Sequence, residues 1–398
     1  MKITAQKSRR YYYLVLGILA FGLITVYSAS PLYSQRFFKD PIYIAKLQLV
    51  WTLAGLALFI LVSLLSQNFL KSISKGLFVA SLVALSFLSF TSIFFPCSKA
   101  TIDNDIAFCL CKNGARRWIY LNPLPLPQLP FLGTLGFQAT DFAKLAFVLY
   151  MPSLLESKMF LLSQRKNAKR KYEPFVYFFG FSFLMSLLIL SQPNMSNAVL
   201  IIIIAMIIYF ISGADLKPPF VLVPVFVLVG IAFILISPYR RERFETLFNP
   251  GNQSELKESY QSEQILIGLG SGGAFGVGVG QSKQKAHYTP EIIGDSIFAV
   301  VGEEMGFLGS LIVVFGFGFL AFEMIKISSN AVSLYEKMVG AGVCAWIFFQ
   351  YLINLYATVN LIPFTGMPIP FISYGGSSMV FALAGLGLVS NIYRRQDN

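Results

Sequence analysis

Asp295 is the residue whose type and position point most directly to chemistry. It lies in the run QSKQKAHYTPEIIGDSIFAVVGEEMGFLG, Gln281–Gly309, where the chain leaves a glycine-rich loop, passes Lys283, Lys285 and Glu291, and enters the first turn of a long apolar helix. A carboxylate there meets lipid and water at once, and an ionisable group at a membrane entrance is a functional-site hypothesis by default. Asp also suits a helix N-terminus through its acceptor oxygen and its charge, and the two roles are compatible. Glu303 and Glu304 follow roughly two turns deeper, with Asp295 and Glu303 at the spacing of one helix face. Asp141 and Lys144 stand at i and i+3 on the first turn of another apolar stretch and can pair. A pair so close to a membrane span is costly enough to ask for a further purpose. Arg116 and Arg117 beside Trp118 read either as an interface anchor or as an anion clamp whose planar guanidiniums hold phosphate oxygens bidentately.

Composition decides what kind of element must position these groups. With 56% hydrophobic residues, 13% charged ones and 39 Phe in 398 residues, the chain is too apolar for a soluble domain of this length. Runs of about 20 apolar residues recur, so the fold class is an all-α polytopic membrane protein with about ten transmembrane helices and two large extracytoplasmic loops. A single integral-membrane domain spanning 1–398 is expected. The formal charge of +12 is dispersed at helix ends rather than gathered on one soluble face, which favours membrane topology over nucleic acid as its explanation. The four cysteines give no zinc spacing and no C-x-x-C pair, so they are not the chemistry.

Taken in order, spans are expected near Tyr11–Ser30, Ile44–Leu65 and Ile73–Phe95, from Thr140 onward, then near Phe175–Leu190, Ala198–Ile211 and Phe220–Ile236. Three more follow near Ser296–Ile325, Met338–Val359 and Pro370–Ile392. The loop at 156–174 carries Lys158, Arg165, Lys166, Lys169, Arg170 and Lys171, the densest cationic loop of the chain, and is cytoplasmic by the positive-inside rule. Alternation then puts the loops 96–138 and 238–294 outside and both termini inside. Cys97, Cys109 and Cys111 fall in the first outer loop, where two of the three can pair in an oxidising compartment or all three stay reduced.

Two further stretches constrain the backbone. Gly268–Gly273 satisfies G-x-G-x-x-G, yet it lacks the preceding strand of a dinucleotide-binding βαβ unit, so its glycines read instead as tight turns and close approach to a bulky ligand. A helix cannot run unbroken through Pro363-Phe-Thr-Gly-Met-Pro-Ile-Pro370 and the Gly375-Gly376 pair. Irregular backbone at membrane depth is tolerated only when buried in protein or lining a watery cavity.

In combination, NGARRWI (113–119), FQATDFAKLAFVLY (137–150), QPN (192–194), GLGSGGAFGVGVG (268–280), SKQKAHYTPE with DSIFAVVGEE (282–304) and PFTGMPIPFISYGGSS (363–378) resemble the SEDS family of bacterial cell-wall proteins. The resemblance covers nearly the whole chain, in the family's motif order, and looks closer to the FtsW branch of cell division than to the RodA branch. It implies a peptidoglycan glycosyltransferase of inverting type that polymerises lipid II, the undecaprenyl-pyrophosphate-linked disaccharide-peptide, into glycan strands in the bacterial cytoplasmic (inner) membrane. The family's essential aspartate falls on Asp295. Substrate-binding positions fall on Arg116, Arg117, Lys144, Lys285, Glu304 and Ser377. A divalent cation, Mg or Mn, is the one cofactor that Asp295 and Asp141 could hold, since hard ions prefer oxygen ligands. The implied partners are a class B penicillin-binding protein, which is the transpeptidase, and other divisome proteins. The sequence departs from the family's pattern at Ile293, Gly294, Ser296 and Asp141, where His, Thr, Phe and Glu are usual. A lipid II flippase would share the cavity and the cations without needing a positioned base, and a noncatalytic division scaffold would need neither.

Overall fold

A computed structural model describes residues 2–95, 108–111, 115–123, 126–128, 132–165, 172–215, 217–220, 224, 228, 257–287 and 292–396. Apolar runs of this length fold as helices because the bilayer leaves backbone N–H and C=O groups no other partners. Helices α1 (Lys2–Ala29), α2 (Pro31–Phe38), α3 (Tyr43–Leu64) and α4 (Gln67–Phe94) precede a two-stranded antiparallel ribbon, β1 (Trp118–Tyr120) with β2 (Gly136–Gln138). Then come α5 (Ala139–Arg165), α6 (Glu173–Leu190), α7 (Met195–Ile211), α8 (Lys257–Ser271), α9 (Gln284–His287), α10 (Ile297–Ser329), α11 (Leu334–Thr358) and α12 (Gly376–Gln396). Seven of these, α1, α3, α4, α6, α10, α11 and α12, are long and apolar enough to cross a membrane, and α7 is a shorter apolar helix. Helix α5 is also long but carries Asp141, Lys144, Glu156 and Lys158. The span expected at 220–236, like the segment 238–256, lies largely outside the described residues.

Helix α12 packs along α3, where Gly55 faces Leu383 and Gly387 faces the backbone of Phe59. Small residues let the two backbones approach closely, as membrane helix pairs require. Helix α11 lies at the centre, against α10, α7, α5 and α12. The Phe317 ring stacks on Tyr351 at 4.2 Å between α10 and α11. The end of the bundle with the N-terminus also holds the Lys71–Glu156 ion pair, 2.7 Å, and the Arg395–Glu336 pair, 3.6 Å.

Helix α10 is not continuous. Gly306 has φ 67° and ψ −162°, a combination essentially confined to glycine. Its interruption frees backbone groups on both sides, and the glycine-rich segment after α8 satisfies them. Val277 N donates to Glu303 O (2.9 Å) and Gly278 N to Glu304 O (3.0 Å), while Phe307 N and Leu308 N donate to Gly273 O (2.9 Å) and Ala274 O (3.2 Å). Gly272 and Gly276 thus serve close backbone packing on α10. A Cβ on Gly306 would run into the backbone of Gly276 and Ala274. Gly306→Ala is therefore expected to cost about 1–3 kcal/mol. Gly318→Ala on the same helix meets nothing within 4 Å and should be neutral or slightly stabilising. Thermal unfolding of the two variants in detergent checks the contrast.

Candidate active site

Three polar clusters meet at the end of the bundle opposite the Lys71–Glu156 pair. The first joins α5, α11 and α12. Lys144 and Asp141 form an ion pair of 2.8 Å with side chains 1% and 3% exposed. Lys144 Nζ also donates to Gln350 Oε1 (2.8 Å), as does Trp346 Nε1 (2.9 Å), while Gln350 Nε2 donates to Pro368 O (3.0 Å). Ser377 Oγ donates to Asp141 Oδ2 (3.3 Å) and accepts from Gln138 N (3.0 Å), which ties the start of α12 to the end of β2.

The second cluster joins α1, α9 and α10. Lys285 forms an ion pair with Glu304, both side chains being nearly inaccessible. Its Nζ further donates to Ser28 O (2.6 Å) and Ser28 Oγ (2.9 Å), and Ser28 Oγ donates to Glu304 Oε2 (2.6 Å). The neighbouring Glu303 turns elsewhere, accepting from the Ser282 hydroxyl and from Lys283 N, the latter at 2.9 Å. Both glutamates are buried, and each pins the segment 282–285 to the N-terminal part of α10.

The third cluster holds Asp295. The N-cap of α10 is Ser296, without a side-chain cap bond, so Asp295 sits in the turn just before the helix. The first-turn placement and the shared helix face with Glu303 are corrected accordingly, because the helix starts two residues later than the hydropathy suggests. The fold grips this turn by its backbone. Asn354 Nδ2 donates to Asp295 O (2.7 Å) and Met367 O (2.5 Å), Ser373 Oγ donates to Gly294 O (2.6 Å), and Tyr374 N donates to Ile293 O (2.8 Å). The Asp295 carboxylate, half-buried, faces Gly366, whose φ of 62° and missing side chain leave room beside it. The segment 361–375 is non-helical and largely buried from Met367 to Ser373, as the prolines require, so α12 starts at Gly376 and not at Pro370. Burial, with smaller contributions from Tyr43 and Tyr33, raises the Tyr374 phenol to about 12, so it remains a neutral hydroxyl.

The two arginines hold protein carbonyls. Arg116, 1% exposed, donates to Cys109 O at 2.7 Å. Arg117 donates from Nε to Gln192 O (3.2 Å) and from its terminal nitrogen to Pro193 O (2.6 Å). That turn leads to Ser196, whose hydroxyl reaches Thr365 O at 3.5 Å, beside Gly366. Arg117 is thus linked to the Asp295 turn through the QPN motif. Cys109 is a buried free thiol and Cys111 is disulfide-bonded, while Cys97 lies outside the described residues. Alkylation of denatured, unreduced protein is therefore expected to label Cys109 and Cys344 and to spare Cys111, as read by peptide mass spectrometry.

The model of the FTSW_RODA_SPOVE family, described as "Cell cycle protein", matches residues 9–398. The chain belongs to this family. Stage V sporulation protein E of Bacillus subtilis (strain 168) is 31% identical over 384 residues, covering 96% of this chain and 95% of that protein. The "Probable peptidoglycan glycosyltransferase FtsW" of Haemophilus influenzae is 32% identical over 395 residues, covering 96% and 89%. In fold, the chain is similar to a structure described as "Structural coordination of polymerization and crosslinking by a peptidoglycan synthase complex", with TM-score 0.73, 24% identity and 97% of both chains covered. The crystal structure of the Thermus thermophilus rod shape determining protein RodA gives TM-score 0.64 at 24% identity, covering 98% and 97%.

Within this family member the site residues fall into separate roles. The fold brings Asp141, Lys144 and Ser377 into one network and Lys285 with Glu304 into another, and it docks the Asp295 turn on the 361–375 segment between them. Arg117 is linked to the Asp295 turn through the carbonyls of Gln192 and Pro193, and Arg116 holds the carbonyl of Cys109. Gln350, Asn354 and Ser28 are central to these contacts and escape a reading centred on ionisable groups. Gln350 and Asn354 stand at i and i+4 in an apolar helix, and that spacing is the signal that could have found them. A cation held jointly by Asp295 and Asp141 does not fit this arrangement. Asp141 already has Lys144 within 2.8 Å, and among the described residues no group of three or more His, Cys, Asp or Glu side chains stands together.

Proposed function

We propose that this chain polymerises lipid II into peptidoglycan strands during cell division, as an inverting glycosyltransferase at the outer face of the cytoplasmic membrane. The single observation that carries the reading is Asp295. Its half-buried carboxylate sits in the turn before α10, where the carbonyls of Ile293, Gly294 and Asp295 are each held and a glycine lies opposite. In the reaction, the 4-hydroxyl oxygen of the acceptor sugar attacks the anomeric carbon of the donor. The new C–O bond forms with inversion as the bond to the lipid pyrophosphate breaks, and the Asp295 carboxylate takes the hydroxyl proton. Negative charge builds on the departing diphosphate, and fixed cations nearby stabilise it. Lys285, held by Glu304 and by Ser28 of α1, is the candidate for that role. Lys144 acts one step removed, fixing the start of α12 and the 361–375 segment through Ser377, Asp141 and Gln350.

The name of the Haemophilus influenzae relative, 32% identical across 96% of this chain, supports this class of activity. A class B penicillin-binding protein is the partner this reading implies, since uncrosslinked strands require a separate transpeptidase. Glycan formation from purified lipid II by the wild-type chain, with and without such a partner, tests the activity directly; no product under either condition would refute it.

The orientation carries its own test. With Leu121 outside and Ser157 inside, both exposed, a membrane-impermeant thiol reagent on intact cells is expected to label Leu121→Cys and to spare Ser157→Cys. The opposite pattern would invert the topology. Background is low, because Cys109 and Cys344 are buried.

A further inference from the structure

Away from the three clusters, α1 and α10 enclose a lipid-facing groove of 680 Å³ at the end of the bundle that carries the N-terminus. Its walls are apolar, formed by Tyr13 on α1 and by Phe315, Phe319 and Phe322 on α10, and its rim holds two charges, Arg10 and Glu323. Glu323 is only 8% exposed, and among the described residues neither it nor Arg10 makes a hydrogen bond or ion pair. A carboxylate buried in a membrane helix without a partner is costly, so something that complements it is favoured strongly.

Geometry narrows what that is. Arg10 stands at the start of the membrane-spanning part of α1, and Glu323 lies six residues before the end of α10, roughly 9 Å along the helix. The phenylalanines continue from there to Phe315, roughly 12 Å deeper. An occupant therefore offers an anion to the exposed guanidinium, a cation to the buried carboxylate, and a hydrocarbon chain to the aromatic wall.

We propose that the groove binds a zwitterionic membrane phospholipid whose headgroup carries a phosphate and a primary ammonium. Arg10 takes the phosphate with its planar fork, Glu323 accepts hydrogen bonds from the ammonium, and one acyl chain lies along Phe322, Phe319 and Phe315. In the orientation proposed above this is a site of the cytoplasmic leaflet. It is distinct from the polymerase site, since Glu304 lies nineteen residues, roughly 28 Å, further along α10. The inference stands whether or not the polymerase reading does.

Native mass spectrometry of the full chain in mild detergent, titrated with phosphatidylethanolamine, phosphatidylglycerol or phosphatidylcholine, tests it. Wild type is expected to retain phosphatidylethanolamine about tenfold better than either other lipid, the scale of one charge-assisted hydrogen bond. The first competitor lacks a cation, and the second has one that cannot donate. Glu323→Gln should erase that preference and Arg10→Gln should weaken all three lipids. Phe319→Trp, which narrows the groove and leaves both charges, should also weaken all three. Equal retention of the three lipids by wild type overturns the proposal, as does an undiminished preference in Glu323→Gln. A photocrosslinker in place of Phe319 that captures a protein segment in membranes, with no lipid adduct, overturns it too. The lipid comparison on wild type decides the matter even if a variant fails to fold.

Discussion

Asp295→Asn is expected to give a folded, membrane-inserted protein whose rate of glycan formation from lipid II falls by a factor of about 10²–10⁴, the usual cost of losing a general base. The structure separates the carboxylate's chemistry from the turn's architecture. Asn354 holds the Asp295 carbonyl, Ser373 and Tyr374 hold the carbonyls of Gly294 and Ile293, and the N-cap of α10 is Ser296. Asparagine preserves each of those contacts and the side-chain volume beside Gly366, while it removes the ability to accept a proton. Unfolding temperature and turnover should therefore part company. Wild-type polymerisation by this variant would remove Asp295 as the base.

Lys144→Ala should have the largest effect on stability, about 3–5 kcal/mol, because it strands the Asp141 carboxylate in the protein interior. It also takes one of two donors from Gln350 Oε1, which the Trp346 indole then bonds alone. The double variant Asp141→Asn with Lys144→Met removes both charges at similar volume and should recover most of the loss. Thermal unfolding in detergent reads both. A single variant that melts with wild type would mean that the pair contributes nothing to the fold.

Much of this architecture was legible because lipid imposes simple rules. Apolar runs became helices, and the proline-rich stretch before α12 became buried irregular backbone. Asp141 and Lys144 paired at the i, i+3 distance that their spacing announced. Contacts between distant segments left weaker traces. Gly306 reads as one more small residue in an apolar run, and nothing local shows that α10 breaks there, since the groups that satisfy the break lie some thirty residues upstream. For the same reason the glycine-rich loop resembled a ligand cradle. Arg116 and Arg117 were ambiguous between lipid and anion because both readings assume an outside partner, whereas these side chains also hold the carbonyls of Cys109, Gln192 and Pro193 within the protein. Asp295 was placed two residues too far inside the helix because hydropathy does not mark where a first hydrogen-bonded turn closes.

In mechanical terms, the interruption at Gly306 is a joint. On its N-terminal side, Glu303 and Glu304 are tied to 277–278 by main-chain bonds and to 282–285 by their side chains, and residues 297–305 continue directly from the turn that carries Asp295. On its C-terminal side, α10 stays clamped to α11 by the Phe317–Tyr351 stack. The glycine-rich loop is therefore a splint across that joint, since 277–278 hold the side that leads to Asp295 and 273–274 hold the other, and a load on the loop bears on both halves of α10 at once.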